Sequence, residues 1–291
     1  MSKSAFVALA GRPSAGKSTL VNALCGAKVS IVSPVPQTTR NAVRGIVNRA
    51  EGQLVLLDTP GFHLSAKRFN QRLRNVSTEA YADADIVLYL IDATRASGAE
   101  EEELAKALAS ASSRLVVAIN KIDLPAADAA AARLLVSERF PSAPVFELSA
   151  LQGIGLEALV EELFRRAPEG PAWYPEEYYT DQEPVFRIAE IIREKVLLHT
   201  RDELPHAVYV EYKDSTRADD GSLVASYDLV VERDSQKGIL IGAGGAMIKR
   251  LREESEADLA AIFDYAVRLR LSVRVDSNWK KDEKRLRDLI F

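Results

Sequence analysis

Residues 11–19, GRPSAGKST, constrain the fold of this chain more than any other feature of the sequence. They match G-x-x-x-x-G-K-[ST] and lie between the apolar run AFVALA and the helix-like run LVNALC. A glycine-rich turn between a buried strand and a helix brings backbone N–H groups and the positive end of the helix to one point. The pattern therefore predicts a phosphate-binding loop at the carboxyl end of the first strand of an α/β sheet.

Short apolar runs alternate with amphipathic stretches of helix length through the first part of the chain. The runs AFVALA, GQLVLLD, DIVLYLID, LVVAIN and PVFELS are typical of strands, and each is followed by a helical stretch. This alternation predicts a parallel sheet with helices on both faces. AVRGIVNRA precedes GQLVLLD without a helix between them, so we expect a hairpin that adds one antiparallel edge to a six-stranded sheet.

The pattern changes after residue 167. Residues 168–184 are rich in proline, acidic and aromatic residues without a helical or strand period, and they are predicted to be a linker. Beyond them, helices and strands follow one another without βαβ alternation, which indicates a smaller α+β domain. We therefore expect a first domain over 1–167, a linker over 168–184 and a second domain over 185–291.

Composition excludes several classes of protein. With 47% hydrophobic and 27% charged residues and a net charge of −4, the chain is typical of a soluble globular protein. Cys25 is the single cysteine, so an internal disulfide is excluded, a reducing cytosol is favoured, and Cys25 itself is expected to be a small core residue. No apolar stretch approaches the roughly 18 to 20 residues that span a bilayer. These observations predict a cytoplasmic protein.

The phosphate loop supplies the groups that nucleoside phosphates require. Gly16 lets the backbone approach the phosphates, Lys17 reaches the terminal phosphates, and the hydroxyl of Ser18 binds magnesium. The predicted phosphate-binding residues are Gly11, Arg12, Pro13, Ser14, Ala15, Gly16, Lys17, Ser18 and Thr19.

The segment NKID, residues 120–123, indicates which base is bound. A carboxylate at Asp123 can accept hydrogen bonds from N1–H and the 2-amino group of guanine, whereas adenine would leave this buried charge unpaired. Asn120 is expected to brace the loop, and the stem of Lys121 is expected to lie along the base. Ser149 and Ala150 end the next strand, where their N–H groups can meet the guanine oxygen.

Two further segments are predicted to sense the γ-phosphate of GTP. DTPG ends an apolar strand, and Asp58 suits a water-mediated contact to magnesium while the N–H of Gly61 reaches the phosphate. A long irregular loop, residues 27–40, carries Thr39, whose hydroxyl can bind the same magnesium. Loops tied to one phosphate and released on hydrolysis make a switch. Switch I comprises Thr38 and Thr39; switch II comprises Asp58, Thr59, Pro60, Gly61 and Phe62.

Two other functions are alternatives to a GTPase. An ATP-dependent kinase is opposed by NKID and by the lack of an insertion for an acceptor substrate. An RNA-binding scaffold that holds GTP without useful turnover is favoured by Phe62, which stands where Ras-type GTPases place a water-orienting glutamine.

The chain as a whole resembles the bacterial Era family of GTPases. The resemblance rests on GRPSAGKST, SPVPQTTR, LLDTPGFH, NKID, EGPAWYP, EIIREKV, ELPHAVYVEY, VERDSQKGILIGAGGAMIK and VRVDSNW, in this order over nearly the whole chain. It implies a Ras-like domain of strand order 2-3-1-4-5-6 followed by a type II KH domain. It also implies a Mg-dependent GTPase that binds small-subunit ribosomal RNA near its 3′ end and assists assembly of the small ribosomal subunit.

The resemblance has further implications and two departures. It implies a cytoplasmic monomer without affinity for DNA, and it leaves open a peripheral association with the cytoplasmic face of the membrane. Phe62 predicts slow intrinsic turnover, and Ser14, where relatives often carry asparagine, puts potassium dependence in doubt. No catalytic base is assigned, and His63 is expected to be a solvent-facing loop residue.

The glycine loop GAGG is the predicted RNA site of the second domain. It fits the GXXG loop that clamps about four nucleotides in KH domains. The predicted RNA-binding residues are Gly242, Ala243, Gly244, Gly245, Lys249 and Arg250. The flanking residues expected to form the core under the loop are Ile239, Leu240, Ile241, Met247, Ile248 and Leu251.

Charge near this loop is unfavourable for a phosphate backbone. Residues 181–291 hold 19 Lys and Arg against 22 Asp and Glu, and the helix after the loop carries three glutamates, Glu253, Glu254 and Glu256. We therefore expect weak backbone affinity, with recognition depending more on the bases. A local basic run comprises Arg268, Arg270, Arg274, Lys280, Lys281, Lys284, Arg285 and Arg287, interrupted by Asp276, Asp282 and Glu283.

Overall fold

A computed structural model of the chain describes residues 2–63 and 68–279, except for the side chains of residues 68 and 69. Contacts between residues divide the described chain into two units. The first unit comprises residues 2–32 and 39–181, and the second comprises residues 33–38 and 182–279.

The first unit is a six-stranded sheet flanked by helices. Its strands are β1 (Lys3–Gly11), β2 (Val43–Arg49), β3 (Gly52–Asp58), β4 (Ile86–Asp92), β5 (Leu115–Asn120) and β6 (Val145–Leu148). Its helices are α1 (Lys17–Cys25), α2 (Arg68–Asp83), α3 (Ala99–Leu108), α4 (Ala129–Arg139) and α5 (Leu156–Arg166). The strand order is β2-β3-β1-β4-β5-β6, and only the β2–β3 pair is antiparallel. The predicted Ras-like fold with one antiparallel edge is confirmed.

The central strands are buried on both faces, which explains their continuous apolar runs. Every residue of β4 and β5 is buried, including the polar residues that end these strands, Asp92 and Asn120. Cys25 at the end of α1 is half-buried rather than fully buried, with its sulfur against Gly45. Burial raises the pKa of this thiol to about 12, so it stays protonated and unreactive at neutral pH.

Residues 168–181, here called the strap, run from the start of β1 to the open edge of β2. The strap pairs with β1 through Lys3 and Glu169 and with β2 through Gly45 and Thr180. Although its composition is typical of a linker, its backbone is held against two strands of the first unit.

The second unit is an α+β fold built on a three-stranded sheet. Its strands are β7 (Tyr209–Arg217), β8 (Leu223–Val231) and β9 (Val267–Val275), and its helices are α6 (Pro184–His199), α7 (Leu204–Ala207), α8 (Asp234–Ile241) and α9 (Ala246–Ala260). β8 lies between an antiparallel β7 and a parallel β9. This agrees with the predicted small α+β domain of KH type.

Some details of the second unit differ from the sequence prediction. The β-rich run HAVYVEYK predicts a strand from His206 onward, but His206 and Ala207 belong to α7. Pro205 explains this, since its fixed φ suits the first turn of a helix. The run WKKDEKRLRDLI predicts a closing helix, but its residues from Lys280 onward, which include the basic ones, lie outside the described residues. Trp279 is buried against Tyr209 at a ring-centroid distance of 4.9 Å. None of the described helices combines the length and apolar content of a membrane span.

Candidate functional site

The predicted phosphate loop forms the turn between β1 and α1. Gly16 has a φ of 99° and lies against Asn120, whose Nδ2 would be 2.3 Å from a Cβ at this position. A side chain at residue 16 would therefore displace Asn120. Two neighbouring residues fix the other side of the loop: Pro13 packs against Gly61, and the N–H of Phe62 donates to the carbonyl of Gly11 at 3.0 Å.

Lys17 is buried at the centre of this loop. Its Nζ donates to the carbonyl oxygens of Gly11 at 3.0 Å and Arg12 at 3.2 Å. Burial lowers the pKa of Lys17 to about 8, although the carboxylates of Asp58 and Glu101 partly oppose this shift. The loop thus concentrates positive charge at the position where terminal phosphates are predicted to bind.

Three oxygen-bearing side chains meet beside Lys17. Ser18 Oγ donates to Asp58 Oδ2 at 2.7 Å, and the hydroxyl of Thr39 lies 2.9 Å from Ser18 Oγ and 3.4 Å from the same carboxylate oxygen. Burial raises the pKa of Asp58, while the hydrogen bond from Ser18 and the charge of Lys17 lower it. Two hydroxyls and one carboxylate form a hard-oxygen donor set that fits magnesium.

Other residues of the predicted switches have hydrogen-bond partners of their own. The hydroxyl of Thr38 bonds to the carbonyl of Val35 at 2.7 Å. Thr59 Oγ1 donates to the carbonyl of Leu9 at 2.7 Å, and Ser77 Oγ on α2 donates to the carbonyl of Pro60 at 2.9 Å. Switch II is therefore held by side-chain bonds to the sheet and to α2.

Phe62 lies in the hydrophobic core with 4% of its surface exposed. A buried phenyl ring cannot orient an attacking water, which agrees with the prediction from its chemistry. His63 was expected to face solvent, but its half-buried ring contacts Glu100 at the start of α3. No sequence signal marked this pairing, because the four consecutive glutamates of α3 look equivalent.

Asn120 joins three loops at the carboxyl edge of the sheet. Its Nδ2 donates to the carbonyl of Ala15 at 2.9 Å, and its Oδ1 accepts from the N–H groups of Lys121 at 2.8 Å and Ala150 at 2.9 Å. Ser149 is buried beside them, and its N–H donates to Ile154. One buried amide side chain therefore fixes the positions of the phosphate loop, NKID and the segment after β6 relative to one another.

The carboxylate of Asp123 lies in an exposed turn rather than in a buried site. The expectation of a buried charge is wrong for the described conformation, because the turn after β5 lies at the surface. Lys121 has a φ of 68°, a conformation that is unusual for a residue with a side chain.

Sequence reasoning missed two carboxylates that support these loops. Asp92 ends β4, and its Oδ2 accepts from Lys121 Nζ at 2.6 Å while Oδ1 accepts from the hydroxyl of Thr94 at 2.6 Å. The pKa of Asp92 is lowered because these hydrogen bonds outweigh the effect of burial. Its place at the end of a buried strand is the signal that could have identified it.

The second missed carboxylate, Glu101, pairs with Arg12 of the phosphate loop. It also accepts a hydrogen bond from Tyr89 on β4. Both Arg12 and Glu101 are buried, so loss of either partner would leave an uncompensated charge. The amphipathic pattern of α3 does not reveal that one of its glutamates points inward.

The glycine loop of the second unit joins α8 to α9. Gly242 has a φ of 74°, and a Cβ there would lie 2.8 Å from the backbone nitrogen of Met247. Beneath the loop, Leu240 and Leu251 are fully buried as predicted. Ile239 is 53% exposed, so its predicted place in the core is wrong, and Ile241, Met247 and Ile248 are half-buried.

The basic residues after the glycine loop are paired along α9. Arg250 Nε lies 2.8 Å from Glu254, and Lys249 Nζ lies 3.8 Å from Glu253. His199 also contacts Glu254 at 2.5 Å, and His199 and Arg250 together lower the pKa of this carboxyl. On β9, Arg268 pairs with Asp220 and Arg274 with Glu211. Acidic neighbours thus reduce the positive potential of this surface.

The chain matches two known families over separate parts of its length. Residues 6–121 match the family described as 50S ribosome-binding GTPase, and residues 203–280 match the KH domain family. The chain is 44% identical to the GTPase Era of Treponema denticola over 99% of both chains. It is 41% identical to the GTPase Era of Treponema pallidum over 97% of this chain and 95% of that one.

Two solved structures share the fold of the whole chain. An Aquifex aeolicus Era variant bound to GDP·AlF4⁻ is similar with a TM-score of 0.93 and 32% identity, over 98% of each chain. An Era in complex with MgGDPNP and nucleotides 1506–1542 of 16S ribosomal RNA is also similar with a TM-score of 0.93 and 32% identity. That match covers 99% of this chain and 98% of the other.

Proposed function

This chain belongs to the GTPase Era family, and from that premise we propose that it is a GTP-hydrolysing switch whose nucleotide controls binding to small-subunit ribosomal RNA. The observation that carries the proposal is the set of bonds from Asn120 to Ala15, Lys121 and Ala150. These bonds support the proposal because they join the loop assigned to the phosphates to the segments assigned to guanine. A match to KH domains over residues 203–280 supplies the RNA-binding half.

The first step of the mechanism is recognition of guanine and its phosphates. Asp123 accepts hydrogen bonds from the guanine edge, and the stem of Lys121 lies along the base. The N–H groups of Ser149 and Ala150 meet the guanine oxygen by sharing or exchanging their present acceptors, the carbonyl of Ile154 and Asn120 Oδ1. Asp92 fixes Lys121 through a bond of 2.6 Å, which orders this side chain before nucleotide binds. Lys17 and the N–H groups of the phosphate loop hold the phosphates.

Hydrolysis is the attack of water on the γ-phosphate of GTP. Lys17 and the loop N–H groups stabilise the negative charge that develops on the phosphoryl oxygens. Ser18, Thr39 and, through water, Asp58 are proposed to hold magnesium, which neutralises phosphate charge when bound. A relative that binds MgGDPNP supports this assignment. Because Phe62 is buried, no side chain is assigned to orient the water, and slow basal turnover is expected.

Switching follows from the contacts that the γ-phosphate adds. Gly61 would donate its N–H to this phosphate and Thr39 would bind the magnesium, so GTP adds one contact to each switch segment beyond the side-chain bonds that already hold it. Loss of the phosphate removes these added contacts. The RNA contacts are proposed to lie at Gly242–Gly245, with Lys249 and Arg250 contributing phosphate contacts once RNA competes with their glutamate partners.

We further propose that the protein acts in the cytoplasm as a monomer and assists assembly of the small ribosomal subunit. Support comes from a related Era bound to nucleotides 1506–1542 of 16S ribosomal RNA. No affinity for DNA is expected, since the 2′-hydroxyl groups of RNA allow a protein to distinguish it from DNA. Crosslinking to total cellular RNA, mapped to single nucleotides, tests this assignment; crosslinks scattered over unrelated transcripts would contradict it.

The nucleotide specificity is tested by comparing the affinities of mant-GDP and mant-ADP. We expect mant-GDP to bind at least about a hundredfold more tightly, because adenine leaves the hydrogen-bonding groups of the pocket unpaired. Equal or tighter binding of the adenine nucleotide would eliminate the GTPase assignment.

The burial of Phe62 favours a second candidate, an RNA-binding scaffold that holds GTP without useful turnover. Multiple-turnover phosphate release with and without small-subunit RNA separates the two functions. A switch is expected to release phosphate repeatedly and faster with RNA, whereas a scaffold shows no acceleration.

A further inference from the structure

The backbone in the middle of the strap is fixed by two side chains of the β2–β3 hairpin. Gln53 Oε1 accepts from the N–H groups of Trp173 at 2.8 Å and Tyr174 at 3.0 Å, and Gln53 Nε2 donates to the carbonyl of Tyr174 at 2.9 Å. Asn48 Nδ2 donates to the carbonyls of Glu176 at 2.8 Å and Tyr178 at 3.1 Å. A segment without regular secondary structure therefore has a defined backbone.

Both ends of the strap are fixed as well. The N–H of Ser4 donates to the carbonyl of Pro168 at 3.0 Å, and the N–H of Ile46 donates to the carbonyl of Tyr179 at 2.9 Å. Thr180 Oγ1 donates to the carbonyl of Arg44 at 2.7 Å. Prolines at 168, 171 and 175 restrict the backbone further.

Several exposed side chains of the strap are aromatic or acidic. Trp173 is 60% exposed and Tyr178 is 46% exposed, and Glu176 and Glu177 between them are exposed too. Across residues 2–63 and 68–279, neither of these two glutamates makes an ion pair. The ring of Trp173 is held against Phe6 at a centroid distance of 5.3 Å, so its orientation is fixed. Trp173, Glu176, Glu177 and Tyr178 are here called the acidic-aromatic face.

The charge of the strap selects the class of partner. Residues 168–181 contain four acidic residues and no Lys or Arg, so phosphate groups of RNA or anionic lipids would be repelled. A guanidinium group suits this face because it stacks on aromatic rings and binds carboxylates through two parallel hydrogen bonds. Within the strap region Arg44 already pairs with a carboxylate, since one oxygen of Asp181 accepts from both Arg44 and Tyr174 at 2.8 Å.

We propose that the acidic-aromatic face is a docking site for an arginine-rich segment of a partner protein. Its fixed backbone reduces the entropy lost on binding, since the strap does not have to be ordered by its partner. Trp, Tyr and Arg are also the residues that contribute most to binding energy at protein interfaces. The site is independent of the nucleotide and RNA sites, so its test does not depend on their assignment.

The test uses the full chain with GDP and fluorescein-labelled nona-arginine and nona-lysine peptides, with binding measured by anisotropy. We expect saturable binding, with the arginine peptide at least about fivefold tighter than the lysine peptide, because guanidinium stacks more strongly than ammonium. Trp173→Ala and the double variant Glu176→Gln/Glu177→Gln are each expected to weaken arginine-peptide binding by about fivefold or more. GDP affinity is measured for each variant and is expected to stay unchanged, which shows that the fold is intact.

The matched control is Glu138→Gln/Glu161→Gln, which removes two exposed carboxylates elsewhere on the first unit. If this control weakens peptide binding as much as the strap variants, the attraction is general electrostatics and the proposal is wrong. Equal affinity for the two peptides would overturn the proposal. It would also be overturned if an RNA oligonucleotide bound more tightly than the peptide and Trp173→Ala weakened that binding. Self-association of the chain that is lost in Trp173→Ala would overturn it as well.

A second readout needs no label. The chain has two tryptophans, and Trp279 is fully buried, so acrylamide quenching of intrinsic fluorescence reports mainly on Trp173. Saturating arginine peptide is expected to protect this emission from acrylamide. Unchanged quenching would place the peptide elsewhere and contradict the proposal.

Discussion

Lys17 is a buried residue whose charge state changes close to neutral pH. Its pKa is lowered to about 8 from an ordinary value of 10.5, since burial disfavours the ammonium form. Because the folded value lies below the unfolded one, the unfolded chain binds the extra proton between these two pH values. Lys17 therefore opposes folding fully below pH 8, and this cost is removed as the pH rises from 8 to 10.5.

The same titration predicts a pH dependence of nucleotide binding. Phosphate groups stabilise the ammonium form, so binding takes up a proton wherever the free lysine is neutral. We expect GDP affinity to be nearly constant below pH 7.5 and to fall by several-fold between about pH 8 and 9. Titration with mant-GDP at constant ionic strength measures this effect. Lys17→Arg keeps its charge throughout this range, so the same fall in that variant would assign the effect to another group.

A second prediction at the residue scale distinguishes the role of Asp92 from the role of Asp123. Asp92 touches Lys121 and is buried, whereas Asp123 is exposed and assigned to the base itself. Asp92→Asn is expected to weaken GTP and GDP about tenfold by removing a charged hydrogen bond, without altering base preference. Asp123→Asn is expected to favour xanthine nucleotides over guanine nucleotides. Competition assays with GDP, XDP and ADP distinguish them, and a changed base preference in Asp92→Asn would contradict its positioning role.

At the scale of elements, the strands of the first unit were predictable and their supporting contacts were not. β4 and β5 were predicted correctly because a strand that is buried on both faces needs a nearly continuous run of apolar side chains. The phosphate loop and NKID were recognisable because their chemistry demands particular residues at fixed spacing. Glu101 and His63 were not, since hydrophobic periodicity says nothing about which polar side chain turns inward. The strap lacks any period, so its pairing depends on Gln53 and Asn48, which are distant in sequence.

The loop between α8 and α9 gives a prediction of its own. Gly242→Asp is expected to abolish RNA binding while GTP binding is unchanged, because a side chain there meets the backbone of Met247 and adds negative charge. Gly244→Asp supports the test if the first variant fails to fold, since a Cβ at this position meets no atom within 4 Å and aspartate is among the side chains that adopt its φ of 59°. Electrophoretic mobility shift with small-subunit RNA measures the loss. Gly98→Asp adds the same charge at an open position of the first unit, and RNA binding retained by all three variants would remove the loop from the site.

Two glutamates of helix α9 oppose the binding of phosphate groups to this helix. Glu253 and Glu254 pair with Lys249 and Arg250, so RNA must compete with both carboxylates. Glu253→Gln/Glu254→Gln is expected to raise RNA affinity several-fold and to steepen its salt dependence by about one unit of slope or more. Affinities measured from 50 to 300 mM KCl test this. Glu138→Gln/Glu161→Gln removes equal charge elsewhere, and a gain of equal size in that control would assign the effect to net charge.

At the scale of the whole molecule, the two units carry different chemistry on one chain. We expect the affinity for small-subunit RNA to differ at least about threefold between the states loaded with GDP and with a GTP analogue, since a switch requires a coupling free energy between its two sites. By reciprocity, RNA must then change the affinity for one nucleotide relative to the other by the same factor. Measuring both sides of this cycle tests the coupling, and equal RNA affinity in the two states would contradict it.

The strap has a practical consequence for anyone who shortens this protein. A fragment that stops at residue 167 would remove the hydrogen-bonded neighbour of Gly45 and Ile46 and three of the four hydrogen bonds of the Gln53 side chain, leaving only its bond to Asn48. Exposed strand edges pair with other chains, so such a fragment is expected to precipitate or form mixed oligomers during purification. A fragment that ends after residue 181 keeps the edge of β2 paired with the strap and is expected to be monodisperse.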